Sequence, residues 1–246
     1  DITFENCYFF GDIIAENCGF DGKIRFRNCK FFGKVNFRNA KFKDLADFWS
    51  CDFYTPITFY KTDFMGMAVF SSATFYQNVL FTYSLFDRVV IFRGTAFKQG
   101  LDLSLAITTG TLSVFDIQLR DFTSTTLHLN KEDYEKSVSD RHKIPINNKR
   151  ETYRILKSYY ESNDNNVESL PYKAFEKKTL LKENCYRLFQ RELDGVPWWR
   201  YPTNKFLRIV NIVLLFLNWI SNGFGIRLLQ SFVFTIGIAA LFFYLM

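Results

Sequence analysis

Asn28-Cys29-Lys30-Phe31-Phe32-Gly33-Lys34-Val35-Asn36-Phe37-Arg38-Asn39-Ala40-Lys41-Phe42-Lys43-Asp44 is the stretch that decides the fold. Phe31, Phe37 and Phe42 lie six and then five residues apart, and Cys29, Val35 and Ala40 each stand two places before one of them. Both intervals extend outward in lockstep. One series runs Phe9, Phe20, Phe31, Phe42, Phe53, Phe64, Phe75, Phe86, Phe97 without a break. The other runs Phe4, Phe26, Phe37, Phe48, Phe59, Phe70, Phe81, Phe92 and is broken only at Ala15. Leu103 and Val114 continue the second series more weakly, as Thr108 and Leu119 continue the first.

The residues two places before each Phe confirm the period. Ahead of the unbroken series stand Cys7, Cys18, Cys29, Ala40, Cys51, Thr62, Ala73, Ser84 and Thr95, all small. Ahead of the other stand apolar residues such as Ile24, Val35, Ile57 and Val79. Each half-repeat therefore reads inward-polar-inward, a very short strand followed by a turn. A right-handed coiled coil shares the eleven-residue period, but frequent Phe, β-branched residues and Gly make a poor helix. Four short sides per coil fit better. Two periods then make a coil of 22 residues, stacked on the next at about 4.8 Å. Each Phe would lie on the one 22 residues later, and burying each contributes about 1.5–3 kcal/mol. Gly11, Gly22, Gly33 and Gly66 fall in the turns, where a positive φ is expected of them.

The segments Asn28 to Gly33 and Ala40 to Asp44, each with a central Phe and a small residue two places before it, resemble the pentapeptide-repeat family. The resemblance implies a right-handed quadrilateral β-helix, so the fold class expected is mainly β. This sequence departs from the family pattern by one extra residue in alternate units, which loosens the square cross-section.

The repeat also accounts for the chemistry-bearing residues. Cys7, Cys18, Cys29 and Cys51 occupy the small inward slot, so they read as packing residues, and free thiols suit a reducing compartment. Cys185 has no recognisable partner, and His128 and His142 show no ligand spacing. No nucleophile-base set, phosphate loop or carboxylate pair stands out. The expectation is a protein that is not an enzyme, with no catalytic, cofactor-binding or metal residues and no cofactor.

Beyond Thr125 the pattern changes. Asn147 to Ser162 places Tyr153, Leu156 and Tyr160 on one helical face, Asn163 to Asn166 is a turn, and a second helix starts near Ser169 with Pro171 close to its beginning. A helical hairpin is expected, and it would cover the open end of the solenoid. Trp198, Trp199, Arg200 and Tyr201 follow, with Lys205, Arg208 and Arg227 further on, a combination that favours a membrane interface. The run from Phe206 to Ile220, interrupted by Arg208, Asn211 and Asn218, reads as too short to span. Leu228 to Met246 carries no charge and at about 1.5 Å per residue covers about 28 Å, so it is the expected transmembrane helix.

Charge supports the same division. Residues 1–125 hold 13 Lys/Arg and 13 Asp/Glu, whereas residues 126–246 hold 18 and 12, so the whole +6 lies beside the apolar end. A nucleic-acid binder concentrates base on its recognition module; a neutral rod argues against nucleic acid, and equally against mimicry of an acidic duplex. The basic residues preceding Leu228 put the repeat domain on the cytoplasmic side. The segments Glu151 to Tyr160 and Asn222-Gly223-Phe224-Gly225 with Arg227 resemble bacterial membrane proteins that fuse a pentapeptide-repeat domain to a two-helix ion-channel-like domain. That resemblance implies a pore loop and a second membrane helix beyond Met246, the chain being read as a fragment. Ser221 to Gly225 itself reads as a Gly-rich turn rather than a selectivity filter, because Arg227 would repel cations.

The organisation expected is therefore a solenoid over 1–124, a helical hairpin or cap over 125–195, an interfacial aromatic-basic segment over 196–227, and a transmembrane helix over 228–246. The partners expected are a lipid membrane and either a protein or further copies of the chain. The function expected is a membrane-anchored scaffold or sensor. A soluble interaction rod with a buried C-terminal helix, and the scaffold of an enzyme lying outside this sequence, are the alternatives.

Overall fold

The computed structural model describes residues 1–125, 143–189 and 201–245. The chain forms two compact units, Asp1–Thr152 and Tyr153–Met246. The first is a β-solenoid of about five coils built from 22 strands, nearly all two residues long. The strands form four parallel sheets, two of six strands and two of five, so each coil has four sides. Up to the last four, each strand pairs with the one 22 residues further on, as in Phe31↔Phe53, Ile57↔Val79 and Phe64↔Phe86.

That register puts identical side chains on top of each other. Phe9, Phe31, Phe53, Phe75 and Phe97 stack with ring centroids 5.0, 4.6, 4.9 and 5.2 Å apart. Phe26, Phe48, Phe70 and Phe92 do the same at 5.6, 5.3 and 5.1 Å. Neighbouring columns meet edge-on, as Phe59 meets Phe70 at 5.5 Å and 76°. Such pairs contribute about 0.5–1.5 kcal/mol beyond the area they bury. From the second coil onward the column rings, Phe26 through Phe97, are buried. Phe4, Phe9 and Phe20 are only half-buried, because the first coil has a neighbour on one side alone.

The small slot has a second role. The hydroxyl or thiol of Cys51, Thr62 and Thr95 donates to the carbonyl oxygen 25 residues earlier, Phe26, Phe37 and Phe70, at 2.9, 2.8 and 2.7 Å. Ser84 does the same toward Phe59. Burial pushes the thiols of Cys29 and Cys51 up. Cys18 is exposed and Cys7 half-exposed, each thiol donating to the carbonyl two residues earlier as those of Cys29 and Cys51 do.

The turn glycines also differ from expectation. Positive φ falls instead at Asn6, Asn17, Asn28, Asn39, Ser50, Lys61, Ser72, Tyr83 and Gly94, each three places before a Phe of the unbroken series. Asn tolerates that conformation best after Gly, and here its amide adds a rung, Asn39 Nδ2 donating to Asn17 Oδ1 at 3.0 Å. Gly33 and Gly66 are required for clearance. A Cβ would stand 2.2 Å from the Gly11 carbonyl oxygen and 2.4 Å from that of Asp44, in the coil beneath.

After the last strand, Gln118–Leu119, the chain at Thr125 pairs with Pro145 and enters helix α1, Ile146–Ser162. In the second unit α1 turns through Asp164, at φ 57°, into α2, Asn166–Phe189. Asn165 Oδ1 caps α2 by accepting from the Glu168 N–H at 3.3 Å. Tyr153, Leu156 and Tyr160 are buried. Tyr160 stacks on Tyr172 at 5.6 Å, and Lys157 pairs with Glu176 at 2.7 Å. Helix α3, Tyr201–Asn222, a short turn over Gly223–Gly225, and α4, Leu228–Leu245, complete the chain.

Two outcomes check this account. Phe59→Ala, at a site with no exposed surface, costs about 3–5 kcal/mol in urea denaturation. A thiol reagent followed by mass spectrometry modifies Cys18 in the native protein, and Cys29 and Cys51 only once it is unfolded; early labelling of Cys51 would contradict the packed slot.

Candidate functional surfaces

Three groups of side chains stand apart from simple packing. The first lies on the outer side of the sheet that begins at Ile2–Glu5 and Ile24–Arg27. Asp47 is buried, and its carboxylate accepts from Arg27 Nε at 2.8 Å and from the Trp49 N–H at 3.1 Å. With Leu45, Met67 and Val69 these residues line an open groove of about 420 Å³. Trp49 is 47% exposed and Met67 43%. Trp and Arg are among the residue types enriched where proteins bind one another. Nothing in the eleven-residue pattern points to this groove, because outward positions are free of the period. The 22-residue register sets Arg25, not Arg27, opposite Asp47.

On another side, one place after each inward Phe, Phe10, Phe32, Tyr54 and Tyr76 form an outer aromatic column with centroids 5.2, 4.8 and 4.5 Å apart. Phe10 and Phe32 are exposed. No metal-binding group of three or more His, Cys, Asp or Glu exists among the described residues. His128 and His142 lie outside them.

The second group closes the last coils of the rod. Asp102 is fully buried, and its carboxylate accepts from Asn148 Nδ2 at 2.8 Å and from the N–H and hydroxyl of Ser104 at 2.9 and 2.6 Å. Thr152 Oγ1 accepts from the Leu103 N–H at 3.0 Å. Lys149, also buried, donates to Asp121 Oδ1 at 2.6 Å and to the carbonyl of Phe122. The first two turns of α1 thus supply partners to backbone and carboxylate groups that no further coil covers. Burial raises Asp102 above the usual carboxylate range, opposed by the Asn148 and Ser104 hydrogen bonds.

The third group is the apolar surface of α3 and α4. The stretch Lys205–Gly225 is long and apolar enough to cross a membrane, with mean hydropathy 1.4, whereas Leu228–Tyr244 falls short of that length. The helix expected to span was the second of these, Leu228 to Met246, whose last residue lies outside the described ones. Arg208, Asn211 and Asn218 do not interrupt α3, because its backbone is helical throughout and Arg208 Nη1 donates to the Arg187 carbonyl of α2 at 3.2 Å. Of the basic and aromatic residues expected at an interface, Lys205 and Arg227 are exposed and Arg208 is half-buried. Lys205 and Arg227 stand at opposite ends of α3 and are not gathered into one ring. Tyr201 opens α3; Trp198, Trp199 and Arg200 lie outside the described residues. Ser221 to Gly225 is a turn at the end of α3, with Asn222 Oδ1 accepting from the Gly225 N–H at 3.0 Å.

Residues 26–74 match the family model for pentapeptide repeats, in nine copies. Over that stretch the rod carries pentapeptide repeats. Its two units per eleven residues extend on both sides of the matched stretch, from Phe4 to Leu119, in one unbroken strand register. No curated protein matches the chain, and no solved structure does. The family match ends before α1, so the likeness to a fused ion-channel-like domain has no support beyond the short motifs that suggested it.

Asp102 gives this surface a pH signature. Its raised value means that the folded protein favours the protonated carboxyl, so the stability it contributes is complete below the unfolded value and lost as pH rises through the folded one. Asp102→Asn removes that loss. The melting temperature of the variant relative to the native protein should climb as pH rises from about 4 and then level off; parallel pH profiles would show that Asp102 does not titrate in this way.

Proposed function

We propose that this chain is a membrane-anchored scaffold, in which the pentapeptide-repeat rod offers its outer faces to a protein partner and the C-terminal helices hold it to a bilayer. The observation that carries the proposal is the exposure of consecutive apolar helices. Phe206, Leu214 and Leu217 in α3, and Leu229, Phe232 and Phe242 in α4, are all at least half exposed. A water-soluble surface does not normally display a patch of that size. Charge agrees with it: residues 195–246 hold Arg200, Lys205, Arg208 and Arg227 and no Asp or Glu. Basic flanks of this kind favour the cytoplasmic side of a membrane, which is where the free, unoxidised thiols of the rod are at home. The role proposed is non-catalytic. The rod's inward positions are filled by packing, and its outer groove at Arg27, Asp47 and Trp49 has the make-up of a docking surface.

Flotation with lipid vesicles checks the anchor. The full chain should rise with the vesicles and remain there after a high-salt wash, whereas replacing Ile236 and Ile238 by Lys should make the attachment salt-sensitive. A native chain that stays at the bottom of the gradient as a monodisperse soluble protein would refute the anchor and leave a soluble interaction rod.

A further inference from the structure

Helices α3 and α4 are both apolar, but they are exposed in different ways. Every residue from Thr235 to Tyr244 of α4 is exposed, on all sides of the helix. Helix α3 is more covered, with Arg208, Val210, Ile212, Leu215, Asn218 and Ile220 half-buried, although Ile209, Asn211, Phe216 and Trp219 are exposed. Phe206, Leu207, Val213, Leu214 and Leu217 form one exposed face. Arg208, Asn211, Asn218 and Asn222 recur three, seven and four residues apart on the opposite side, the separation that marks an amphipathic helix.

Part of that opposite side is next to α2, while Asn211 is exposed. Arg208 bonds to the Arg187 carbonyl near the end of α2, and the Gly223–Gly225 turn at the far end of α3 also packs on α2. Arg208 and Phe224 are 16 residues apart in sequence, about 24 Å along a helix, so α2 runs beside α3 for most of its length. Along α2, Glu168, Lys173, Lys178 and Lys182 are exposed. If α3 crossed the hydrocarbon, these charges would be carried in with it, and hydrocarbon offers them neither water nor partners.

Building on the membrane anchor proposed above, we propose that α3 lies flat in the bilayer interface with its Phe206–Leu217 face against the acyl chains and α2 on the water side, while α4 alone enters the membrane. The turn between them is made for such a change of direction. Gly223, Phe224 and Gly225 all have positive φ, at 58°, 65° and 94°, and Phe224 is 5% exposed. Gln230 Nε2 donates to the carbonyls of Trp219 and Ile220 at 2.9 and 2.6 Å, satisfying groups that the end of α3 leaves open. Lys205 and Arg227, exposed at the two ends of α3, reach headgroup phosphates, and the absence of any acid over residues 195–246 selects an anionic surface.

Spin labels on the full chain in vesicles containing anionic lipid test the geometry. Single cysteines replace Phe206, Val213, Leu217 or Ile238, with Cys7, Cys18 and Cys185 changed to Ser and the buried Cys29 and Cys51 retained. Depth is read from relative relaxation by oxygen and by a water-soluble nickel chelate. A flat α3 gives Phe206, Val213 and Leu217 one shallow depth and Ile238 a deep one. A spanning α3 puts Leu217 about 16 Å deeper than Phe206 and overturns the inference while leaving the anchor intact. α3 labels shielded from both reagents would mean that another protein copy covers the face, which overturns it as well. In vesicles of zwitterionic lipid alone the α3 labels should shift toward water; an unchanged depth would refute the anionic preference. A chain that does not bind vesicles at all refutes the anchor itself.

Discussion

Everything in the rod depends on one constraint, the 22-residue register between successive coils. A strand of two residues cannot fix its own register by length or by a hairpin turn. Here the register is fixed by the side chains instead. A slip of one residue would turn Phe53 outward and bring Asp52 into the column between Phe31 and Phe75. A slip of a whole half-repeat would exchange a small slot for a large one. Phe rings stacked at about 5 Å and hydroxyls or thiols bonded to a carbonyl 25 residues back both require the same alignment. The backbone pairing follows from it.

The ends of such a stack are where its energetics change. Interior coils are covered above and below, so their Phe rings are fully buried and their small residues find a carbonyl. At the first coil Phe4, Phe9 and Phe20 are partly open and the thiols of Cys7 and Cys18 are accessible. At the last coils the first turns of α1 take the place of a further coil, at the cost of burying Asp102 and Lys149. Replacing the partner of a buried charge is expensive, so Asn148 and Asp121 are constrained almost as tightly as the Phe columns. The outward positions are the ones that the stack leaves free.

The sequence made the period, the coil length, the four-sided cross-section, the inward columns and the helical hairpin legible, because each rests on repetition or on helical spacing. The groove at Asp47 was not legible. It is made by Arg27, Asp47 and Trp49 from two adjacent coils, and an outward position has no recurring neighbour to reveal it. The glycines were misjudged for a related reason: Gly33 and Gly66 sit in turns, but their need for space comes from the coil beneath, which a linear reading does not contain. Helix α3 was judged too short because Arg208 and two Asn interrupt its apolar run, whereas the helix continues through all three and Arg208 bonds to α2.

By itself, then, the sequence determined which side chains face inward and how many residues make a coil, since a periodic pattern carries its own geometry. Tertiary structure decided where positive φ is placed, which cysteines are accessible, what closes the last coil, and which residues of α3 meet α2. Those depend on what lies next to a residue 22 or more positions away, and proximity of that kind is created only when the coils and helices pack.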